Sequence, residues 1–289
     1  MTEFQPISSL RYFFWTLFLF TYTDFKTIIF PVTVFACTAA PYQSFGRLFY
    51  AIFWTWLNLL QVDVSNQYKS IAEDAKNRPW RPLPDGRISQ KSAALMRWIL
   101  APLCMLSGLP FGSGVVLCSI TLTVILIAHD EIGFATNWVG KNLINAIGYA
   151  SFEFGATKIM NITPRLDHIA LQSLVCSALL IFTTIHTQDF SDIEGDRANG
   201  RVTLPIYAPK VSRIYTFLAL GVWSVGLGRV WDLGPSSQIL LCGLGLVIGW
   251  RFYSFRTASD DTKTYIAYNV WLLLIHLLPS HARWGVFKF

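Results

Sequence analysis

The sequence predicts an all-α membrane protein with about nine transmembrane helices in one continuous domain. Charged residues make up 14% of the 289-residue chain, against about 25% in soluble domains. Hydrophobic residues reach 53% and the mean hydropathy is +0.43. Several apolar runs also approach the roughly 20 residues that an α-helix needs to cross a bilayer.

The elements follow in order. Met1 to Ser9 is polar and has no signal-peptide pattern. The aromatic stretch RYFFWTLFLFTY (Arg11 to Tyr22) either lies in the membrane interface or runs on as one spanning helix. Residues 1–23 are therefore set apart as an N-terminal segment from a transmembrane domain of residues 24–289. The expected spans are 24–41, 47–65, 90–110, 113–129, 140–160, 166–187, 210–230, 235–253 and 263–281. HDEIGFATN (His129 to Asn137) interrupts the fourth and fifth. With nine spans, one membrane face holds sixteen Lys and Arg and the other six, and Arg97 falls inside a span. By the positive-inside rule the richer face is cytosolic, and an internal membrane, the endoplasmic reticulum, is the expected location. The net charge of +6 is thus a topology signal and implies no nucleic-acid partner. Nor does the sequence imply an obligate protein partner. The five cysteines are scattered singly and fit neither a metal site nor a disulfide framework.

Two acidic clusters lie on the cytosolic face. In QDFSDIEGDRANGR, a helix carried through at about 100° per residue puts Asp189, Asp192 and Asp196 on one face. Bare carboxylates at such spacing repel unless a divalent cation lies between them, and hard oxygen ligands suit Mg²⁺. In NQYKSIAEDAKNRPWRPLPDG the same helical turn brings Asn66, Ser70, Glu73 and Asp74 toward one point. Two acidic helix ends on one cavity suit Mg²⁺ held against a diphosphate. Lys69, Arg78, Arg81, Lys141, Arg197 and Arg201 are the cations near enough in sequence to grip phosphate oxygens. Lys141 stands out because it opens a span, where an unpaired charge is costly.

NQYKSIAEDAKNRPWRPLPDGRIS, WVGKNLINAIGY and QDFSDIEGDRANGRVTLPI, in that order, resemble the UbiA superfamily of intramembrane prenyltransferases over essentially the whole chain. The resemblance implies a helical bundle around a central apolar cavity. It implies two Asp-rich motifs that bind Mg²⁺ and a prenyl diphosphate, with the lipid bilayer around them. Carried over residue by residue, the catalytic and metal-binding set is Asn66, Glu73, Asp74, Asp189, Asp192 and Asp196. Lys69, Arg78, Lys141 and Arg197 are the expected diphosphate contacts. The second motif matches fully. The first departs, because the usual pattern has an acid where this chain has Ser70. That departure resembles a fungal branch of UbiA-type terpene cyclases. It implies Mg²⁺-dependent ionisation of farnesyl diphosphate and closure to a bergamotene-type sesquiterpene, as in fumagillin-type secondary metabolism. Transfer of the prenyl group to an aromatic acceptor is the alternative.

Two further sets of residues bear on such chemistry. Aromatic faces can stabilise a carbocation, and the candidates are Trp54, Trp56, Tyr68, Tyr149, Phe152, Phe154, Tyr268 and Trp271. Asn58, Asn142, Asn145, Glu153 and Asn269 are expensive in lipid and should face the bundle interior.

Overall fold

A computed structural model of the chain describes residues 6–41, 44–163 and 165–289, without the side chains of residues 6–9, Glu73 and Asn77. Helix α1 (Pro6–Thr21) passes through a 3₁₀ turn (Tyr22–Asp24) and a π-helical turn (Phe25–Ile29) into α2 (Phe30–Ala39). The track is therefore continuous across residue 23. Pro31 in the first turn of α2 explains the irregularity. It offers no N–H, and its ring crowds the carbonyl four residues back, that of Thr27.

Helix α3 (Phe45–Lys69) ends where Ser70 leaves helical geometry, at φ −111° and ψ 22°. The short α4 (Ile71–Asn77) follows, then a proline-rich turn. Ser89 caps α5 (Gln90–Gly108) by accepting from the Ser92 N–H. After α6 (Ser113–Asp130), Asn137 caps α7 (Trp138–Met160) and Asp167 caps α8 (His168–Thr184) in the same way. A 3₁₀ segment (Ile185–Phe190) leads into the short helices α9 (Ile193–Ala198) and α10 (Leu204–Tyr207). Three long helices, α11 (Pro209–Val230), α12 (Pro235–Ser254) and α13 (Ala258–Leu277), precede a terminal α14 (Pro279–Trp284). Among the described residues there is no strand, only one isolated bridge between Asn137 and Val202.

Helix α7 is the hub and packs against α2, α3, α6 and α8. On one side, Trp54, Leu59, Val115, Leu122, Phe152 and Ile159 join α3, α6 and α7. On the other, Leu180, Leu220, Ile248, Phe252, Tyr268 and Trp271 join α8 and α11–α13. The outer surface is itself apolar, with Val222 70% and Ile239 71% exposed. That arrangement suits a lipid solvent.

By length and composition, five helical runs can cross a membrane: Leu10–Ala39, Gln90–Phe111, Ser113–Asp130, His168–Phe190 and Pro209–Val230. Helices α3, α7, α12 and α13 are long enough but too polar to meet the same standard. The expected count of nine therefore stands only as nine long helical runs among the described residues. The shortfall has a physical reason at α3 and α7, where Asp63, Asn66, Lys141 and Asn145 line an internal cavity. Side chains that build such a site dilute the membrane signature of the helices carrying it.

Candidate active site

Between the two halves of the bundle lies a cavity of about 450 Å³, within the roughly 300–1,000 Å³ usual for ligand pockets. Its two ends differ in chemistry. Leu59, Val62, Leu122, Ile125, Leu126 and Ile144 form an apolar wall together with the rings of Tyr149, Phe152 and Tyr265. Asp24, Lys26, Asp63, Asn66, Arg78, Arg81, Lys141, Asp189, Asp192 and Arg201 form a charged end.

Local backbone chemistry sets these positions. The irregular turn before Pro31 brings Thr23, Asp24, Lys26, Thr27 and Ile28 to the wall. The Thr27 carbonyl, displaced from regular pairing, accepts a hydrogen bond from the Tyr149 hydroxyl at 2.7 Å. One proline thereby fixes an aromatic ring in the cavity.

The second acidic cluster is organised around Lys141. Its Nζ lies 2.7 Å from Asp189 Oδ1 and 3.2 Å from Asp196 Oδ2. Arg201 also approaches Asp196, at 3.4 Å. The cluster is not the single continuous helix that the spacing suggests. The chain turns through the 3₁₀ segment and re-enters α9 after Asp192. Asp189 and Asp196 still converge, both nearly fully buried, because Lys141 of α7 bridges them. The cost of an unpaired charge at the start of a span is met here by carboxylates of the second motif, where the sequence suggested a diphosphate contact. Asp189 keeps its other oxygen, Oδ2, buried and without a partner among the described residues. Asp192 stands exposed at the cavity mouth.

The first cluster departs further from its expected geometry. Asn66 lines the cavity as expected. The helix breaks at Ser70, so Asp74 swings into a buried pair with Arg81, whose NH1 donates to both carboxylate oxygens at 2.8 and 3.0 Å. The Ser70 hydroxyl donates to the Asn66 carbonyl and to Asp74. Neither Ser70 nor Asp74 reaches the cavity wall, and the Glu73 side chain lies outside the described residues. Of the expected phosphate contacts, Arg78 and Lys141 line the cavity and Arg197 and Lys69 do not. Arg197 is exposed on α9, and Lys69 pairs with Glu131 at 2.9 Å. Glu131 also accepts from Arg97 at 2.8 Å, which accounts for the arginine inside a span.

Sequence reasoning missed Asp24, Lys26, Asp63, His129 and Tyr265. All lie within or beside apolar runs and belong to no motif, so only the packing reveals them. Of the eight aromatic candidates, only Tyr149 and Phe152 line the cavity. The polar residues expected to avoid lipid do so. Asn58, Asn142, Glu153 and Asn269 are buried, and Asn145 faces the cavity.

The family model for the UbiA prenyltransferase family matches residues 28–273. The chain belongs to this family. The fumagillin β-trans-bergamotene synthase of Aspergillus fumigatus is 30% identical over 96% of this chain and 94% of its own. A polyprenyl transferase of Hericium erinaceus is also 30% identical, over 91% of this chain and 94% of its own. Overall identity therefore does not separate cyclising from transferring relatives. A UbiA homologue of Archaeoglobus fulgidus, solved with DMAPP and Mg²⁺, superposes with a TM-score of 0.69 at 13% identity, covering 94% of this chain and 99% of that one. That likeness establishes a shared UbiA fold. Like its family, the chain is an integral membrane protein.

The residues present fit a divalent cation. Asp189 presents a buried, unpartnered oxygen, and Asp192 stands beside it at the mouth. Among the described residues no three acidic, His or Cys side chains form a ready-made metal cage. Mg²⁺ ordinarily takes one or two carboxylates and completes its shell with water and substrate phosphates.

Proposed function

We propose that this protein is a membrane terpene cyclase that ionises farnesyl diphosphate with Mg²⁺ and closes the chain to a sesquiterpene hydrocarbon of bergamotene type. The observation that carries the reading is the division of one cavity into a cationic and acidic mouth and an apolar, aromatic interior. A prenyl diphosphate has the same division.

In this reading Arg78, Lys26 and Arg201 draw the diphosphate to the mouth and neutralise its oxygens. Asp189 and Asp192, with Asn66, would hold Mg²⁺, which when bound would stabilise the negative charge of the leaving group. Lys141, itself on the cavity wall, holds Asp189 in place. The allylic C–O bond breaks, and its electron pair leaves with the diphosphate. Leu59, Val62, Leu122, Ile125 and Leu126 keep water from the carbocation. The faces of Tyr149, Phe152 and Tyr265 stabilise it at about 2 kcal/mol each when desolvated. An internal alkene attacks the cation and closes the ring. Loss of a proton, with the departed diphosphate as acceptor, restores a neutral olefin.

Prenyl transfer to an aromatic acceptor is the second reading, favoured by the equal identity to a polyprenyl transferase. The test is incubation of the purified protein in nanodiscs with C10, C15 or C20 diphosphate and Mg²⁺, without acceptor, read by gas chromatography. A cyclic hydrocarbon from the C15 substrate is the expected result. Product formed only after a phenolic acid is added would overturn cyclisation. The charge distribution supports an active site open to the cytosol, and the endoplasmic reticulum is the membrane proposed to hold it.

A further inference from the structure

One carboxylate in the cavity belongs to neither acidic motif. Asp63 lies on α3 one turn before Asn66, and both line the cavity. It is 5% exposed, and its Oδ2 is buried with no hydrogen-bond partner among the described residues. The charged groups that act on it are Asp24, Arg78 and Arg81, all on the same cavity wall. Among the described residues no ion pair engages it. Arg81, the arginine best placed to do so, is committed to Asp74 through a buried double hydrogen bond. A carboxylate withdrawn from water and left without a partner demands a cation or a proton.

The position matters for the missing acid of the first motif. Asp63 and Ser70 are seven residues apart, so on a helix they point the same way, about 10 Å apart along the axis. Ser70 stands where α3 ends, bonded to Asn66 and Asp74 and outside the cavity wall. Asp63 occupies the same face two turns deeper, beside Leu59 and Val62 of the apolar wall. Asp189 lines the same cavity and offers the matching feature, a buried oxygen without a partner among the described residues.

We infer that Asp63 supplies the carboxylate that the first motif lacks at Ser70, as a divalent-cation ligand on α3 in the same cavity as Asp189, with Asn66 and Asp24 as its neighbours. The cation–diphosphate clamp is thereby set deeper in the bundle than the motif spacing implies. This inference rests on the metal–diphosphate reading of the cavity.

The test is Mn²⁺ binding in the presence of inorganic pyrophosphate, followed by electron paramagnetic resonance on the protein in nanodiscs. Asp63→Asn should weaken Mn²⁺ binding at least about tenfold, since loss of even an outer-shell partner costs that much. Ser70→Ala should change it less than about twofold. Wild-type binding with Asp63→Asn unchanged overturns the assignment of Asp63 alone. Absence of Mn²⁺ binding by the wild-type protein overturns the metal–diphosphate reading itself. Should Asp63→Asn fail to fold, labelling of wild-type Asp63 by an apolar carbodiimide, mapped by mass spectrometry, decides the matter. Mn²⁺ with pyrophosphate should block the label, and undiminished labelling overturns the inference.

Discussion

Lys141 lies 2.7 Å from Asp189 and 3.2 Å from Asp196, with 11% of its side chain exposed. Removing it by Lys141→Met orphans the buried Asp189 and leaves Asp196 with Arg201 alone. In the metal-free protein this should cost about 3–5 kcal/mol, the usual penalty for orphaning a buried charge. Thermal unfolding measures it, and saturating Mg²⁺ with pyrophosphate should restore part of the loss. Ser70 makes a contrasting case. Its hydroxyl is 3.2 Å from Asp74, so Ser70→Asp would place a second carboxylate beside the buried Asp74–Arg81 pair. The expected outcome is lower thermal stability with the same product, read by gas chromatography; a switch to acceptor prenylation would show that position 70 selects the reaction. These two residues also show what was legible. The second cluster is local in sequence, and its convergence survives an irregular backbone because Lys141 enforces it. The first was read on an ideal helix, and the backbone breaks at Ser70.

Helix α7 carries the site by packing closely against α3. A Cβ added at Gly155 would meet the Trp54 ring at 2.2 Å. Trp54 is held in turn by Ser119 of α6 at 3.2 Å, and it contacts the cavity residue Phe152 edge-on at 6.3 Å. Gly155→Ala should therefore cost about 1–3 kcal/mol by overpacking. It should also alter the ratio of products, measured by gas chromatography, because the strain reaches Phe152. The helix ends respond to pH. Hydrogen bonds from Lys69 of α3 and Arg97 of α5 hold the Glu131 carboxyl, between α6 and α7, below its usual range. A depressed carboxyl contributes its stability above the unfolded value, near about 4.3, and loses it as pH falls through the folded value. Glu131→Gln should flatten that acid limb in denaturation curves, and salt should shrink the difference because the pair is exposed. Element types were largely legible, since long apolar runs admit only helices in lipid. The irregular turn before Pro31 was not. It appears in sequence as one proline in an apolar stretch, yet it positions Asp24, Lys26 and the partner of Tyr149.

Across the whole molecule, two packed halves enclose one cavity with a charged mouth and an apolar interior. The membrane class followed from composition and the family from motif order, because both are properties of the linear chain. The cavity wall did not follow, because it joins residues from the irregular turns before α2 and from α3, α6, α7 and α13, whose shared environment exists only after packing. Asp63 is the clearest instance, an acid hidden inside a span and brought to the same cavity as Asp189 by the arrangement of the bundle. The central claim is that this cavity ionises a prenyl diphosphate and closes the chain without an acceptor. Its most direct test is the stoichiometry of an acceptor-free reaction of the nanodisc-embedded protein with farnesyl diphosphate and Mg²⁺. One pyrophosphate released for each cyclic hydrocarbon formed is the predicted result, and pyrophosphate release that requires an added phenolic acceptor would contradict it.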